Sequence, residues 1–247
     1  MRVSRRCTSP GGATGVVAMA GRDDDAPKYQ NPLLALLGRL LPGEGEVGPA
    51  SGADVGPLPA ALADIKWDAP KAPEPDLAKN ARRLESAITR AEWFVTGAIE
   101  PALFSEAFVF KDPDVTLRGV RAYATGVHRL FDQRTSRAEV ARVTTREPST
   151  VEVAWRLSGG VTIGPLALSL KPYIVYTDLV VDERGLVVYQ EDRFSIPSYD
   201  ILLSAVAPAL RPFLAPEAPP IGELRAQLAR GPGPGRAELL VEADRRD

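Results

Sequence analysis

The chain has 247 residues, 45% hydrophobic and 25% charged, enough for one large folded domain or two small ones. Its net charge of −2 gives no general attraction to nucleic acid or to anionic lipid. One cysteine (Cys7) and one histidine (His128) exclude a disulfide framework, a thiolate zinc site and a multi-histidine metal centre, and no apolar run reaches the ~18 residues a membrane span needs.

Residues 1–22 contain no Asp or Glu but carry Arg2, Arg5, Arg6 and Arg22 among small and hydroxylated residues. Basic, acid-poor and hydroxylated is the composition of an organelle transit peptide, which is preferred here over a merely unstructured N-terminus. "GVVAMA" at residues 15–20 resembles the Val-x-Ala processing sites of algal chloroplast precursors. The expected location is therefore the chloroplast, with mitochondrion or cytoplasm as alternatives.

Residues 23–75 divide into a leucine cluster and a linker. In "NPLLALLGRLL", Leu33, Leu36, Leu37, Leu40 and Leu41 share one helical face, with Asn31 as cap and Pro42-Gly43 as stop. Residues 43–75 are rich in Gly, Pro and Ala, without periodicity. The compact domain is expected over 76–215, followed by a disordered tail over 216–247 that is mostly Gly, Pro and charge.

Asp76 suits an N-cap, and Leu77, Ala81, Leu84, Ile88, Ala91 and Val95 then recur every three or four residues up to Gly97. This predicts one amphipathic helix of about 20 residues. A turn leads to the short strand "AFVF", then to Asp112-Pro113, Gly119 and a second helix from about Val120 to Phe131. That helix should bury Val120, Tyr123, Ala124, Val127, Leu130 and Phe131.

Beyond Arg134 the apolar period becomes two. "AEVARVTT", "TVEVAWRL", the long "LALSLKPYIVYTDLVV" and "LVVYQEDRFS" read as strands. "SGGVTIG" falls between two strand patterns, Pro172 implies a bulge or bend, and "DERG" is a hairpin turn with Gly185 at its left-handed position. Residues 199–213 predict a last helix, broken by Pro208 and Pro212.

Helix, short strand, helix, then several long hairpin-connected strands make an α+β protein: a curved antiparallel sheet with helices packed on its concave face. The order of elements, with "F-x-D-P" ahead of "R-G-V-x-x-Y", resembles the nuclear transport factor 2-like superfamily, over about residues 77–200. That superfamily includes ketosteroid isomerase, polyketide cyclase and limonene epoxide hydrolase relatives. Within it the motifs are most similar to the plant and algal domain of unknown function 2358. The resemblance implies a cone whose mouth holds an apolar pocket, a sheet able to pair into homodimers or bind a protein partner, and an association with haem-binding SOUL proteins.

Asp112, Pro113 and Gly119 have structural work in the turn: an acceptor for backbone amides, a fixed φ without an N–H, and a tight entry to the helix. His128 falls opposite the apolar stripe with Arg121, Thr125 and Asp132, so a solvated imidazole is expected. A haem-ligand role would require a partner covering that face.

The candidate chemistry lies in "GLVVYQEDRF". Alternation sends Val188, Gln190, Asp192 and Phe194 to one face and the charged Glu191 and Arg193 to the other, so the first set should line the cone. Asp192 stands seven residues past Gly185, and this resembles the inward aspartate of the epoxide hydrolase relatives. A carboxylate in an apolar cone has a raised pKa and can act as acid or base; the alternative is a buried aspartate satisfied by Tyr, Gln or a backbone amide. The Arg–Asp partner set of those hydrolases does not assemble beside it, since Arg156 has the wrong parity when Trp155 is core. Trp155 and Tyr173 would line the pocket or fill it. No phosphate loop, Gly-x-Ser-x-Gly or basic–aromatic constellation is present, and no cofactor is indicated. The functional expectation is a non-catalytic organelle domain that binds an apolar small molecule or a protein partner in a cone-shaped pocket, without turnover. A small-molecule isomerase, cyclase or hydrolase using Asp192, or a dimerising interaction module, are the alternatives.

Overall fold

The computed structural model describes residues 57–112, 116–163 and 166–231. The basic N-terminus, the leucine cluster, Pro113 and the chain beyond residue 231 lie outside them.

Helix α1 spans Leu77–Ala91 and is capped as expected: the Asp76 carboxylate accepts from the Lys79 amide at 2.9 Å. Its apolar face buries Ala81, Leu84, Ala87 and Ile88. Asp76→Ala should lower stability by about 1 kcal/mol in urea denaturation, the usual cost of losing an N-cap acceptor.

The single long helix does not form. Glu92 turns left-handed (φ 46°), and a separate turn, α2, spans Trp93–Thr96 before Gly97 (φ 69°). The break has a packing reason. Trp93, Phe94 and Val95 are all buried, whereas three successive residues of a continuous helix fan over about 200°. The Glu92 carboxylate also accepts from the Ala138 amide at 2.8 Å, which offsets the cost of its backbone conformation.

Strand β1 (Phe104–Lys111), the short β2 (Thr116–Arg118) and helix α3 (Val120–Leu130) follow. Gly119 stands at φ 87° where the chain enters α3. Strands β3 (Arg137–Arg146), β4 (Thr150–Ile163), β5 (Leu166–Val181) and β6 (Val187–Phe194) complete a six-stranded sheet in the order β2-β1-β6-β5-β4-β3. Every pair is antiparallel except β1 with β6, which run parallel. The sheet is therefore mixed: the chain leaves β1 through β2 and α3, starts again at the far edge, and returns beside β1 in the same direction. Gly159 and Gly160 of "SGGVTIG" continue β4, with Gly159 at φ 122°. Opposite them Leu157 pairs with Tyr173 and Gly159 with Leu170, so Lys171-Pro172 carries the expected bulge.

One face of the sheet gathers Val151, Val153, Trp155, Leu157, Tyr173, Val175 and Leu179 into a single core with the buried sides of α1, α2 and α3. The segment expected as linker belongs to this core from Leu58 onward: Leu62 is fully buried, and Ile65 and Trp67 pack against it. Helix α4 (Ser198–Val206) ends before Pro208, and a 3-10 turn covers Pro208–Phe213. A further helix, α5 (Ile221–Ala229), forms inside the stretch expected as a disordered tail. Its Leu224 and Leu228 pack on the opposite face of the sheet with Ala141, Ala154, Ile174 and Tyr176. Arg225 donates to the Val140 carbonyl at 2.7 Å, and Arg142 donates to the Leu228 carbonyl at 3.2 Å.

The face of α3 expected in water is partly covered. Thr125 is fully buried, and half-buried His128 donates from Nδ1 to the Thr96 carbonyl at 2.7 Å. The short α2 turn lies across this face, so the imidazole is a structural link between helices. Leu130, expected in the core, is 44% exposed at the last turn.

Candidate functional site

Strand β6 positions the site. Its Gln190, Asp192 and Phe194 turn toward the core, while Glu191 faces Lys111 and Arg193 grips Asp178 at 2.8 and 3.1 Å on the other side. Val188 departs from the expected alternation. The β5–β6 register shifts between Val180 and Val181, and Val187 takes the buried place instead.

Asp192 is held by two donors that reach the same oxygen. Thr177 Oγ1 donates to Oδ1 at 2.7 Å and Gln190 Nε2 donates to it at 3.2 Å. Thr177 in turn accepts from Trp155 Nε1 at 2.9 Å, and Gln190 Nε2 also donates to the Tyr123 hydroxyl oxygen at 3.0 Å. A chain of polar groups thus runs from β4 through β5 and β6 to α3, inside apolar and aromatic walls. Because both donors address Oδ1, a proton on this carboxyl resides on Oδ2. Gln190 is fully buried, and its Oε1 has no partner among the described residues.

Burial pushes the Asp192 carboxyl up to about 7, against the lowering effect of the two hydrogen bonds. The carboxylate of Asp112 adds to the rise. Tyr123 and Tyr173 are both pushed up, first by burial and then by the charge of Asp192. Asp192 keeps partial access to solvent, so its proton can exchange.

Asp112 belongs to this site as well as to its turn. The parallel register pairs Lys111 with Glu191, so the next residues, Asp112 and Asp192, are neighbours on adjoining strands. Sequence reasoning gave Asp112 only the turn, because that adjacency depends on a parallel pairing between segments 80 residues apart.

The aromatic candidates divide. Trp155 stacks on Phe94 with centroids 4.8 Å apart, while Tyr173 meets Phe194 edge-on at 5.7 Å. Both are buried and fill much of the inner face. Two surface concavities of roughly 390 and 370 Å³ lie away from the site, one between α1 and β3 and one beside Gly159 and Gly160. No group of three or more metal-ligating side chains occurs among the described residues.

Thr177→Val tests the network. It removes one donor to Asp192 and the acceptor of Trp155 Nε1, so the midpoint of the Asp192 titration should move upward from about 7. Carboxyl-carbon NMR would follow it, and a midpoint that stays or falls would contradict the assigned bonding.

No family model matches the chain, and no curated protein matches it. Solved structures do. A Catenulispora acidiphila protein of ketosteroid isomerase-like fold, in complex with trimethylamine, is 16% identical over 54% of this chain and 97% of its own, with a TM-score of 0.39. An LEH-like epoxide hydrolase of M. tuberculosis is 19% identical over 56% and 98%, with a TM-score of 0.38. A nuclear transport factor 2-like protein of Anabaena variabilis is 18% identical over 49% and 90%, also at 0.38. The likeness is one of fold.

Proposed function

We propose that the protein is a small-molecule acid–base enzyme of isomerase or cyclase type, with Asp192 exchanging a proton with an apolar substrate. The observation that carries this is a carboxyl that burial pushes up to about 7, its Oδ1 fixed by Thr177 and Gln190 and a second carboxylate beside it. A group poised near neutrality serves as both acid and base. Thr177, Gln190 and Tyr123 are positioning residues that hold this carboxyl in one orientation. A hydrolase of the limonene epoxide type fits less well. The arginine whose charge reaches Asp192 is Arg193, and its guanidinium is held by Asp178 on the other face.

The second reading is a binding module without turnover, or an interaction module. It is favoured by Trp155 and Tyr173, which occupy space a ligand would need. The test is deuterium incorporation from heavy water into a panel of apolar carbonyl compounds, followed by NMR. The wild type should exchange protons with an inflection near pH 7, and Asp192→Asn should slow exchange by about 10²–10⁴-fold. Retained ligand without exchange would establish the binding module instead.

Membership of the plant and algal domain family, and a plastid location, are part of the same proposal. They rest on the Asp-Pro and Arg-Gly motifs and on the arginine-rich, acid-free first 22 residues. Import of the full chain into isolated chloroplasts, with loss of its N-terminus, would support the location; exclusion would remove it.

A further inference from the structure

Strands β1 and β6 lie side by side in parallel, with Phe110 opposite Gln190 and Lys111 opposite Glu191. Their inward positions therefore run Phe110, Asp112 on one strand and Gln190, Asp192, Phe194 on the other. Two carboxyls stand together among aromatic side chains, both half-buried and within reach of solvent. Tyr123 of α3 and Tyr173 of β5 face the same pair: each hydroxyl is pushed up by burial, then by the charges of Asp192 and Asp112. The adjoining basic side chains are turned away. Lys111 pairs with Glu191, and Arg193 with Asp178, on the opposite face of the sheet.

Gln190 supplies an independent sign of a ligand. Its side chain is fully buried, and Nε2 is committed to Asp192 Oδ1 at 3.2 Å and to the Tyr123 hydroxyl at 3.0 Å. The carbonyl oxygen of the same amide, Oε1, therefore opens beside the carboxyl, with no donor among the described residues. A buried acceptor left in that state costs about 1–3 kcal/mol, which a ligand bringing an N–H or O–H would restore. Both donors to Asp192 address Oδ1, so Oδ2 stands as a second acceptor for the same ligand.

We infer that Asp192, Asp112 and the Gln190 carbonyl bind the ammonium group of an organic amine with an apolar body. Three features choose that class. Paired negative charge in a partly desolvated place favours a cation over a neutral alcohol. No third metal-ligating side chain joins the pair among the described residues, whereas a hard metal ion gathers more oxygens than two side chains give. The rings of Phe110 and Tyr123 lie on one side and those of Tyr173 and Phe194 on the other, and aromatic faces attract organic cations. Gln190 Oε1 can only accept, so it selects an amine that carries N–H over a quaternary nitrogen. The inference uses the carboxyl of the acid–base reading but does not require turnover.

Calorimetric titration of the full chain with cyclohexylamine tests the inference, with cyclohexanol as the neutral probe of the same shape. At pH 8 the amine should bind at least ~10-fold more tightly than the alcohol. Its charge needs an ionised Asp192, so affinity should fall as pH drops through about 7 and be ~30–100-fold weaker at pH 5. Asp192→Asn should weaken amine binding at pH 8 by ~10–100-fold and remove that pH dependence. Asp112→Asn should weaken it less, and Gln190→Met by ~3–10-fold through the lost acceptor. Without any substitution, saturating amine should move the Asp192 midpoint from about 7 to about 6 or lower in carboxyl-carbon NMR, and cyclohexanol should not. An amine that fails to bind, binds no tighter than the alcohol, or binds equally at pH 5 and 8 would overturn the inference. So would binding untouched by both Asp192→Asn and Asp112→Asn, which would put the amine elsewhere. The two readings of the site fail separately. Amine bound as expected with no proton exchange in the carbonyl panel removes the enzyme and keeps the amine site; exchange without amine preference does the reverse.

Discussion

Asp192→Asn should make the protein more stable at pH 8 and leave it almost unchanged at pH 4. The carboxyl titrates at about 7 when folded and near its ordinary 3.8 when unfolded. Between these values the folded state binds the extra proton, so stability from this group is complete below pH 4 and declines as pH rises through 7. Above 7 both states are ionised, and the folded one carries a buried charge beside Asp112. The difference sets a ceiling of about 4 kcal/mol, and partial solvent access makes about 2–4 kcal/mol the expected gain. Asparagine keeps an oxygen for Thr177 and Gln190 to address, so the gain is not cancelled by lost hydrogen bonds. Urea denaturation at the two pH values checks this. Equal effects at both, or destabilisation at pH 8, would show that Asp192 is not held under strain. If the proposed proton exchange is detected, the same substitution should remove it, and stability gained with activity lost in one variant would mark a group kept for its chemistry.

Lys171→Met should cost about 3–5 kcal/mol, the usual penalty for leaving one member of a buried ion pair alone. Lys171 is 1% exposed and Asp200 3%. Methionine fills the space but can neither neutralise Asp200 nor donate to the Ala215 carbonyl. Lys171→Met with Asp200→Asn should recover at least half of the loss, since asparagine still accepts from the Ala215 amide. Chemical denaturation of wild type, single and double variants forms the test. A single variant within 1 kcal/mol of wild type, taken as the approximate size of an ordinary surface change, would mean that apolar packing alone holds residues 200–215 in place.

Much of the sheet was legible because period-two burial and turn chemistry are local signals. Gly185 sits in the left-handed turn of the β5–β6 hairpin as expected, and alternation with the charged Glu191 and Arg193 on the other face placed Gln190, Asp192 and Phe194 inward. Pro172 announced its bulge because it lacks an N–H. The failures share a cause in long-range packing. Nothing near Glu92 marks a break; the left-handed turn answers to Ala138 on a distant strand. Val188 lost its place to a register shift against β5, which no single-strand pattern contains. Asp112 joined Asp192 only through the parallel β1–β6 pairing. Helix α5 was different: Ile221, Leu224 and Leu228 have helical spacing, but the surrounding Gly and Pro concealed it.

The seat of α5 has a consequence for assembly. The back of the sheet around Ala154 and Tyr176 already carries a helix tethered to the same chain, a rival to any partner that would pair there. Its short leash keeps that rival at a local concentration of about millimolar, so a free competitor must either arrive in comparable excess or bind more tightly. Any change that unseats Leu224 would therefore uncover the apolar strip of Ala141, Ala154, Ile174 and Tyr176 to whatever can bind it.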